Sequence, residues 1–172
     1  QHILASLTPA PQAVDLAYDA RNDLIYVIDD AMNGLLVLRG TSLDPVHFSS
    51  TPAGPCTLCT DEVNDRVYVT YRGDDITQEP PGLAVYKAGP FCNPLREPIL
   101  LGGPFHCPDV AYDGVRNRIF VSGTRLQVFD ADSFESMEEI QTSLPYGLDT
   151  GLIDGSSPLL LYIGQPGSVR VH

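Results

Sequence analysis

One pattern of polar and apolar positions recurs four times along the chain: an acidic turn leads directly into a short apolar run. The copies occupy 19–27, 61–69, 113–121 and 154–163, and the last copy is weaker because it carries one extra residue. Short β-branched or aromatic runs separated by Gly, Pro, Asn and Asp predict strands joined by tight hairpins. Ser133–Ile140 could form a turn or two of helix, but the regular spacing of the strands predicts a loop followed by an outer strand there. The pattern therefore predicts an all-β protein.

The spacing of the repeat predicts the kind of all-β fold. The aromatic residue of the repeated strand falls at Tyr26, Tyr68, Phe120 and Tyr162, at intervals of 42, 52 and 42 residues. The longer interval contains an inserted loop at 72–82 that is rich in Asp, Pro and Gly. A period near 42 is the length of one four-stranded propeller blade, which takes about 40–45 residues.

We predict one domain over residues 1–172: an all-β β-propeller with about four blades of four antiparallel strands each. The blades span about 12–50, 54–101, 106–142 and 145–172. The N-terminal strand at 1–8 would complete the last blade and close the ring, which leaves no unpaired edge at the seam. Two alternatives remain open: a half-ring that dimerises into eight blades, and a piece of a longer propeller. The expected outer strands are 46–50, 97–101 and 138–142.

Two copies of the repeat resemble the YVTN-type β-propeller family. They are Asn-Asp-Arg-Val-Tyr-Val-Thr at 64–70 and Arg-Asn-Asp-Leu-Ile-Tyr-Val at 21–27, and Pro/Gly-containing approaches stand at 51–55 and 102–104. The resemblance covers nearly the whole chain and implies the fold. Members of that family include surface-layer and adhesion proteins, and lactonase-like enzymes roughly twice this length. No catalytic residue set of those enzymes can be matched here, so the resemblance implies no enzymatic site.

Composition and charge narrow the class of partner. Apolar residues make up 43% of the chain and charged residues 19%, as in an ordinary globular domain. The net charge of −12 argues against nucleic acid and against anionic membrane surfaces, which both need a basic footprint. No apolar run approaches the roughly 18 residues of a membrane span. The charge favours cations or basic partners, although a plainly acidic extracellular surface would explain it as well.

The cysteines indicate an oxidising compartment. Their even number, four, and the start of the chain at Gln1 instead of Met favour a processed, secreted product. The Cys56-x-x-Cys59 spacing suggests redox or zinc chemistry, but no helix is predicted beside it and no second close pair follows. Structural disulfides are the better interpretation. Cys56 and Cys107 occupy equivalent loops of neighbouring blades, so a bridge between them is natural; Cys59 and Cys92 are the remaining candidates.

Two acidic loops predict a ligand or metal site. In a propeller the connections from second to third strand share one face, and here the first two of them are acidic. Their carboxylates could converge on one Ca²⁺, a hard cation that prefers several oxygen ligands. Asp residues that cap backbone N–H groups in turns are the alternative explanation. The candidate ligands are Asp29, Asp30, Asp74, Asp75 and Glu79.

Arg72, Gly73 and Asp74 form an Arg-Gly-Asp tripeptide on the longest of these loops. Presented at a loop tip, such a tripeptide can engage integrins, with the Asp completing a metal site on the partner. Gly-Asp is also ordinary turn chemistry, so the tripeptide alone does not establish adhesion.

The sequence as a whole favours a secreted, non-enzymatic propeller that acts as a binding or extracellular assembly module. Its partner would be a protein or a glycan, or a further copy of the chain paired through the seam at the termini. The alternative is a small metal-dependent hydrolase or lactonase-like enzyme that uses the acidic channel mouth and a divalent cation. Fold alone does not decide between these functions.

Overall fold

The computed structural model describes residues 12–101, 107–122, 125–141, 148–151, 160–165 and 168–171, the last three ranges and residues 140–141 by their backbone alone. Within these ranges every regular element is a β-strand, as the sequence predicts. The strands are β1 (Ala13–Asp19), β2 (Leu24–Asp29), β3 (Gly34–Arg39), β4 (Pro45–Ser50), β5 (Pro55–Asp61), β6 (Arg66–Tyr71), β7 (Gly82–Lys87), β8 (Ile99–Leu100), β9 (Val110–Asp113), β10 (Arg118–Val121), β11 (Arg125–Asp130), β12 (Ser136–Gln141), β13 (Leu148–Gly151), β14 (Leu160–Gln165) and β15 (Ser168–Val171).

The strands form antiparallel sheets in strict chain order. Sheets one, two and three are β1–β4, β5–β8 and β9–β12, with four strands each, and sheet four is β13–β15, with three. The structure therefore contains three four-stranded sheets, where the sequence predicts about four. The fourth strand of the last sheet was expected from residues 1–8, which lie outside the described residues. Residues 136–141 form strand β12, so the helical alternative for this stretch is wrong.

The sheets follow one another around an axis, with their first strands innermost. Inner strand β1 lies beside β5, β5 beside β9, and β9 beside β13. In the described part of the chain, β13 does not approach β1 to a comparable extent, and every ladder stays within its own sheet. The described sheets thus form an open arc, and the predicted closure of the ring is not observed.

The core consists of apolar side chains between successive sheets. Tyr26, Leu35 and Val37 of sheet one pack with Val69 and Tyr86 of sheet two. The same arrangement recurs between sheets two and three. There the buried residues are Tyr68, Leu83, Val85, Val110, Ile119, Val121 and Phe129. The repeated aromatics Tyr26 and Tyr68 therefore pack between sheets, as the sequence predicts, and they form no ligand box.

The acidic start of each repeat forms a capped hairpin. Asp61 is fully buried, and its carboxylate accepts hydrogen bonds from the Val63 and Asn64 backbone N–H groups at 3.0 and 2.8 Å. Asp19 and Asp113 are equally buried and accept from the backbone N–H three residues later. The fifth position of each turn has positive φ, at Asp23, Asp65 and Asn117. Asp and Asn tolerate that conformation, which explains the composition of the repeat.

Successive hairpins also bind each other. Arg21 donates to the Glu62 carbonyl oxygen at 2.9 Å and forms a salt bridge with Asp65 at 3.0 Å. One repeat later, Asn64 donates through Nδ2 to Asn117 Oδ1 at 2.8 Å. The repeated turn therefore closes its own hairpin and fixes the neighbouring sheet at the same time.

The outer strand of sheet two is shorter than the sequence predicts. β8 has two residues and pairs only with Gly82 and Leu83 of β7, whereas a strand was expected over 97–101. Farther along β7, Tyr86 is bridged by Pro94, so the chain bulges between Pro94 and β8. Proline supplies no N–H to a ladder, which explains the interruption. No helix in the described ranges is long and apolar enough to span a membrane.

Candidate binding face

Three inner strands line a central cavity of about 530 Å³. Its wall is mostly polar, because Asp15, Thr57, Thr60 and Asp109 all face it. Two of these side chains also join neighbouring sheets. Asp15 Oδ2 accepts from the Leu58 N–H at 2.9 Å, and Thr57 Oγ1 accepts from the Val110 N–H at 3.2 Å. The sequence analysis does not predict these hydrogen bonds between sheets. The two acceptors are nevertheless at equivalent positions, because each stands four residues before the capping Asp of its repeat.

We use the name loop face for the end of the sheets that carries the β2–β3, β4–β5 and β6–β7 connections. A cavity of about 270 Å³ opens there, lined by residues of all three connections. Arg72 Nη2 lies 3.1 Å from Asp30 Oδ1 and ties the β6–β7 connection to the β2–β3 connection. Asn33 does the same for the β4–β5 connection, since its Oδ1 accepts from the Gly54 N–H at 2.9 Å. The loop face is therefore an interlinked surface. The cavity is lined by Asp30, Asn33, Ala53, Gly54, Arg72, Gly73, Asp74 and Asp75.

The β6–β7 connection is a structured hairpin. Asp74 and Glu79 exchange two backbone hydrogen bonds, each of 2.9 Å. Asp74 Oδ1 accepts from the Ile76 N–H at 2.8 Å, and this bond lowers the pKa of the Asp74 carboxyl below its ordinary value. Ile76 stands at the tip with its side chain 88% exposed. Among the described residues it is the most exposed large apolar side chain.

The Arg-Gly-Asp tripeptide lies at the base of this hairpin. Arg72 is held by Asp30, and the Asp74 carboxylate is used within the turn. Gly73 is buried with φ +75°, and a Cβ there would lie 2.0 Å from the Glu79 carbonyl oxygen. The glycine is thus required by the backbone. Adhesion through this tripeptide stays a prediction, and the geometry does not offer the two charged side chains as a freely exposed pair.

The predicted Ca²⁺ ligands are only partly brought together. Asp30, Asp74 and Asp75 line the loop-face cavity. Asp29 is fully buried, and its carboxylate accepts from the Gln12 and Met32 N–H groups at 3.0 and 2.9 Å. Across the described residues, no three Asp, Glu, His or Cys side chains form a group suited to a metal ion. The Arg72 guanidinium contacts Asp30 and compensates the negative charge that a metal cation would otherwise balance. The Ca²⁺ site stays a prediction, and no observation favours the metal-dependent hydrolase.

The structure contains one disulfide among the described cysteines, between Cys56 and Cys107, the pairing that the sequence favours. It joins the start of β5 to the segment that leads into β9 and so links sheets two and three at the loop face. Cys59 and Cys92 are free thiols. Cys59 faces the central cavity, and burial raises the pKa of its thiol. Cys92 is buried, which raises its pKa to about 12, so neither thiol is activated for chemistry.

Comparison with known proteins identifies the fold but not a family. No protein-family model and no curated protein sequence matches the chain. Among solved structures, 92% of the chain superposes on 45% of Sqt1 from Saccharomyces cerevisiae, with a TM-score of 0.70 and 8% identity. The chain has a β-propeller-like fold. The absence of a family match leaves the YVTN resemblance as a prediction.

Two further structures agree with this result. Raptor from Chaetomium thermophilum is similar over 93% of the chain and 15% of its own, with a TM-score of 0.67 and 15% identity. A nidogen/laminin complex is similar over 92% of the chain and 64% of the matched chain, with a TM-score of 0.63 and 16% identity. The chain therefore spans less than two thirds of each of these three proteins.

Proposed function

We propose that the chain is a secreted binding module that engages a protein partner through its loop face. The propeller-like fold supports this proposal, and one of the similar structures is a complex between two proteins, nidogen and laminin. The Cys56–Cys107 disulfide supports an extracellular location, because disulfides persist mainly in oxidising compartments. A glycan partner, which the sequence also allows, has no observation in its favour among the described residues.

The single observation that carries the proposal is the hairpin tip with Ile76. This side chain is 88% exposed, while the turn beneath it is fixed by the Asp74–Glu79 backbone pair and by the Asp74 carboxylate. A fixed tip loses little conformational entropy on binding, so more of the contact energy appears as affinity. Burying one isoleucine against a partner contributes about 1.5–3 kcal/mol. The hairpin is therefore suited to insert an apolar side chain into a partner's pocket.

The surroundings of the tip indicate the chemistry of the partner. Asp75 and Glu79 lie on the same hairpin, and Met32, 40% exposed, stands on the neighbouring β2–β3 connection. The whole chain carries a net charge of −12. The partner surface would combine an apolar pocket for Ile76 with a basic rim, because complementary charge speeds encounter and sets orientation.

The test is quantitative enrichment from the extracellular fluid in which the protein occurs. Wild-type chain is compared with Ile76→Asp and with the control Val115→Asp, which places the same charge at a 70% exposed position on the opposite end of the sheets. We expect one protein to be enriched by wild type and by the control but not by Ile76→Asp. Purified, that protein should associate more slowly as salt increases. Equal enrichment by all three chains, or equal loss in both variants, would contradict binding through the loop face.

A further inference from the structure

The Cys56–Cys107 disulfide joins one exposed residue to one buried residue. Cys107 is exposed, whereas Cys56, at the start of β5, is 6% exposed. Exposed disulfides react with external thiols more readily than buried ones, and regulatory disulfides belong to this class. The exposed half leads into β9, and the buried half follows directly on the β4–β5 connection of the loop face. A thiol that opens the bridge from the Cys107 side therefore also acts on the loop face through Cys56.

Gly54 connects the buried half of the bridge to the other connections of the loop face. Cys56 Sγ lies 3.4 Å from the Gly54 carbonyl oxygen. The same oxygen accepts from the Arg72 N–H at 2.8 Å, and the Gly54 N–H donates to Asn33 Oδ1 at 2.9 Å. Gly54 thus holds the β6–β7 and β2–β3 connections through its two backbone groups.

The Arg72 side chain packs directly on Gly54. Gly54 has a φ of +67°, and a Cβ added to it would lie 2.6 Å from Arg72 Cγ. Arg72 in turn contacts Asp30 through its guanidinium, and the hairpin that carries Ile76 follows it in the chain. A shift of the β4–β5 connection therefore changes the contacts at the base of that hairpin.

We propose that the Cys56–Cys107 disulfide is a redox switch of the loop face, opened by an external dithiol. A thiolate of the dithiol attacks Cys107 Sγ and forms a mixed disulfide, while Cys56 leaves as a thiolate and takes up a proton. The second thiolate of the dithiol then attacks the reagent's own sulfur in the mixed disulfide, and Cys107 leaves and takes up a proton. The bridge gains two electrons and two protons, and the dithiol is oxidised to its own disulfide.

The expected consequence of reduction is weaker binding at the loop face, and in this respect the switch rests on the proposed function. Reduction releases the β4–β5 connection from the segment before β9, so the two hydrogen bonds of Gly54 weaken. The hairpin with Ile76 then becomes more mobile. A mobile tip loses more conformational entropy when it binds, which lowers its affinity for a partner.

The test is hydrogen exchange of single amides in the full chain, measured by NMR in the oxidised state and after treatment with dithiothreitol. We expect the Gly54 and Arg72 amides to exchange at least about fivefold faster after reduction, the factor that one typical hydrogen bond contributes. The Asn22 amide donates to Asp19 at the opposite end of sheet one and should not change. Reoxidation should restore the original rates.

Two controls examine the bridge itself. In the variant Cys56→Ser/Cys107→Ser, the Gly54 and Arg72 amides should exchange at the fast rate whether or not dithiothreitol is present. Glutathione has a single thiol and traps the first step, so peptide mass spectrometry should locate the mixed disulfide on Cys107. Far-UV circular dichroism shows whether the reduced chain is still folded.

Four outcomes would overturn the proposal. They are a bridge that dithiothreitol does not open in the folded chain, glutathione attached to Cys56, unchanged exchange at Gly54 and Arg72, and faster exchange everywhere, Asn22 included. The last outcome would make the bridge a general support of the fold and not a switch. Failure of the loop-face partner appears elsewhere, as equal enrichment by oxidised wild type and Ile76→Asp, so the two proposals fail separately.

Discussion

Replacing Asp61 with alanine tests directly whether the repeated aspartates stabilise the fold. Asp61 is the last residue of β5 and is fully buried. Its Oδ1 accepts from the Val63 and Asn64 N–H groups at 3.0 and 2.8 Å. Its Oδ2 accepts from Asn64 Nδ2 and from the Tyr68 hydroxyl, both at 2.8 Å. Alanine removes the acceptor for all of these donors at once.

The loss of unfolding free energy in Asp61→Ala depends on which of the hydrogen-bond donors water can reach once the carboxylate is gone. Val63 is 64% exposed, so water replaces the carboxylate at the turn amides, and each lost bond costs about 1 kcal/mol. Tyr68 is fully buried, so its hydroxyl is left without an acceptor at a cost of about 2 kcal/mol. Asn64 keeps Asn117 Oδ1 as a second partner and adds little. The sum is about 4 kcal/mol, a large share of the roughly 5–15 kcal/mol that stabilises a domain.

Urea unfolding followed by circular dichroism measures this loss. Asp44→Ala is the matched control, because Asp44 is an exposed aspartate in the β3–β4 connection, and we expect it to change stability by less than about 0.5 kcal/mol. Asp61→Asn keeps one acceptor oxygen and should lose about half as much as alanine. A loss below about 1 kcal/mol for Asp61→Ala would show that the repeated acid is not a structural cap, and the explanation of the repeat would fail.

Two further predictions concern the loop face. Replacing Cys56 and Cys107 together by serine should destabilise the chain by about 4 kcal/mol in urea unfolding, because the bridge closes a separation of 51 residues; an unchanged midpoint would contradict a structural role. The pKa of Asp74 lies below its ordinary value of 3.8, so its stabilising charge is fully present above that pH and is lost as the pH falls through the lowered pKa. The protection factor of the Ile76 amide, which is the exchange rate corrected for the intrinsic effect of pH, should therefore fall in acid, and Asp74→Asn should abolish that dependence.

The sequence predicts a structural feature well when the residues that interact to form it are close in the chain or recur at a fixed spacing. The capped hairpin is predictable, because Asp61 and Asn64 interact three positions apart and the same residues recur at the same spacing. The Cys56–Cys107 pairing is also predictable, because the repeat places the two residues at equivalent positions. Strand β8 is not predicted correctly, although Pro94 and Pro98 carry the signal that interrupts it.

The candidate site is less predictable, because its contacts do not repeat. The Arg72–Asp30 salt bridge joins two connections 42 residues apart, one interval of the repeat, but the residue types at these equivalent positions differ, so the repeat does not mark the two residues as an ion pair. From sequence alone, Arg72 belongs to an adhesion tripeptide and Asp30 to a calcium site. The structure brings both residues into one ion pair. A residue outside the repeat takes its role from its neighbours in space, so its type alone suggests several chemistries equally well.

The exposure of β1 extends the same argument to residues inside the repeat. Leu16 and Leu58 have the same place in the pattern, the same residue type and an alternating strand around them, yet one is 64% and the other 6% exposed. A repeat defines which face of a strand must be covered, but it cannot state which sheet covers it. For sheets two and three the preceding sheet does so. Among the described residues no sheet precedes β1, so the exposure of Leu16 follows from its surroundings in space and not from its residue type or its place in the pattern.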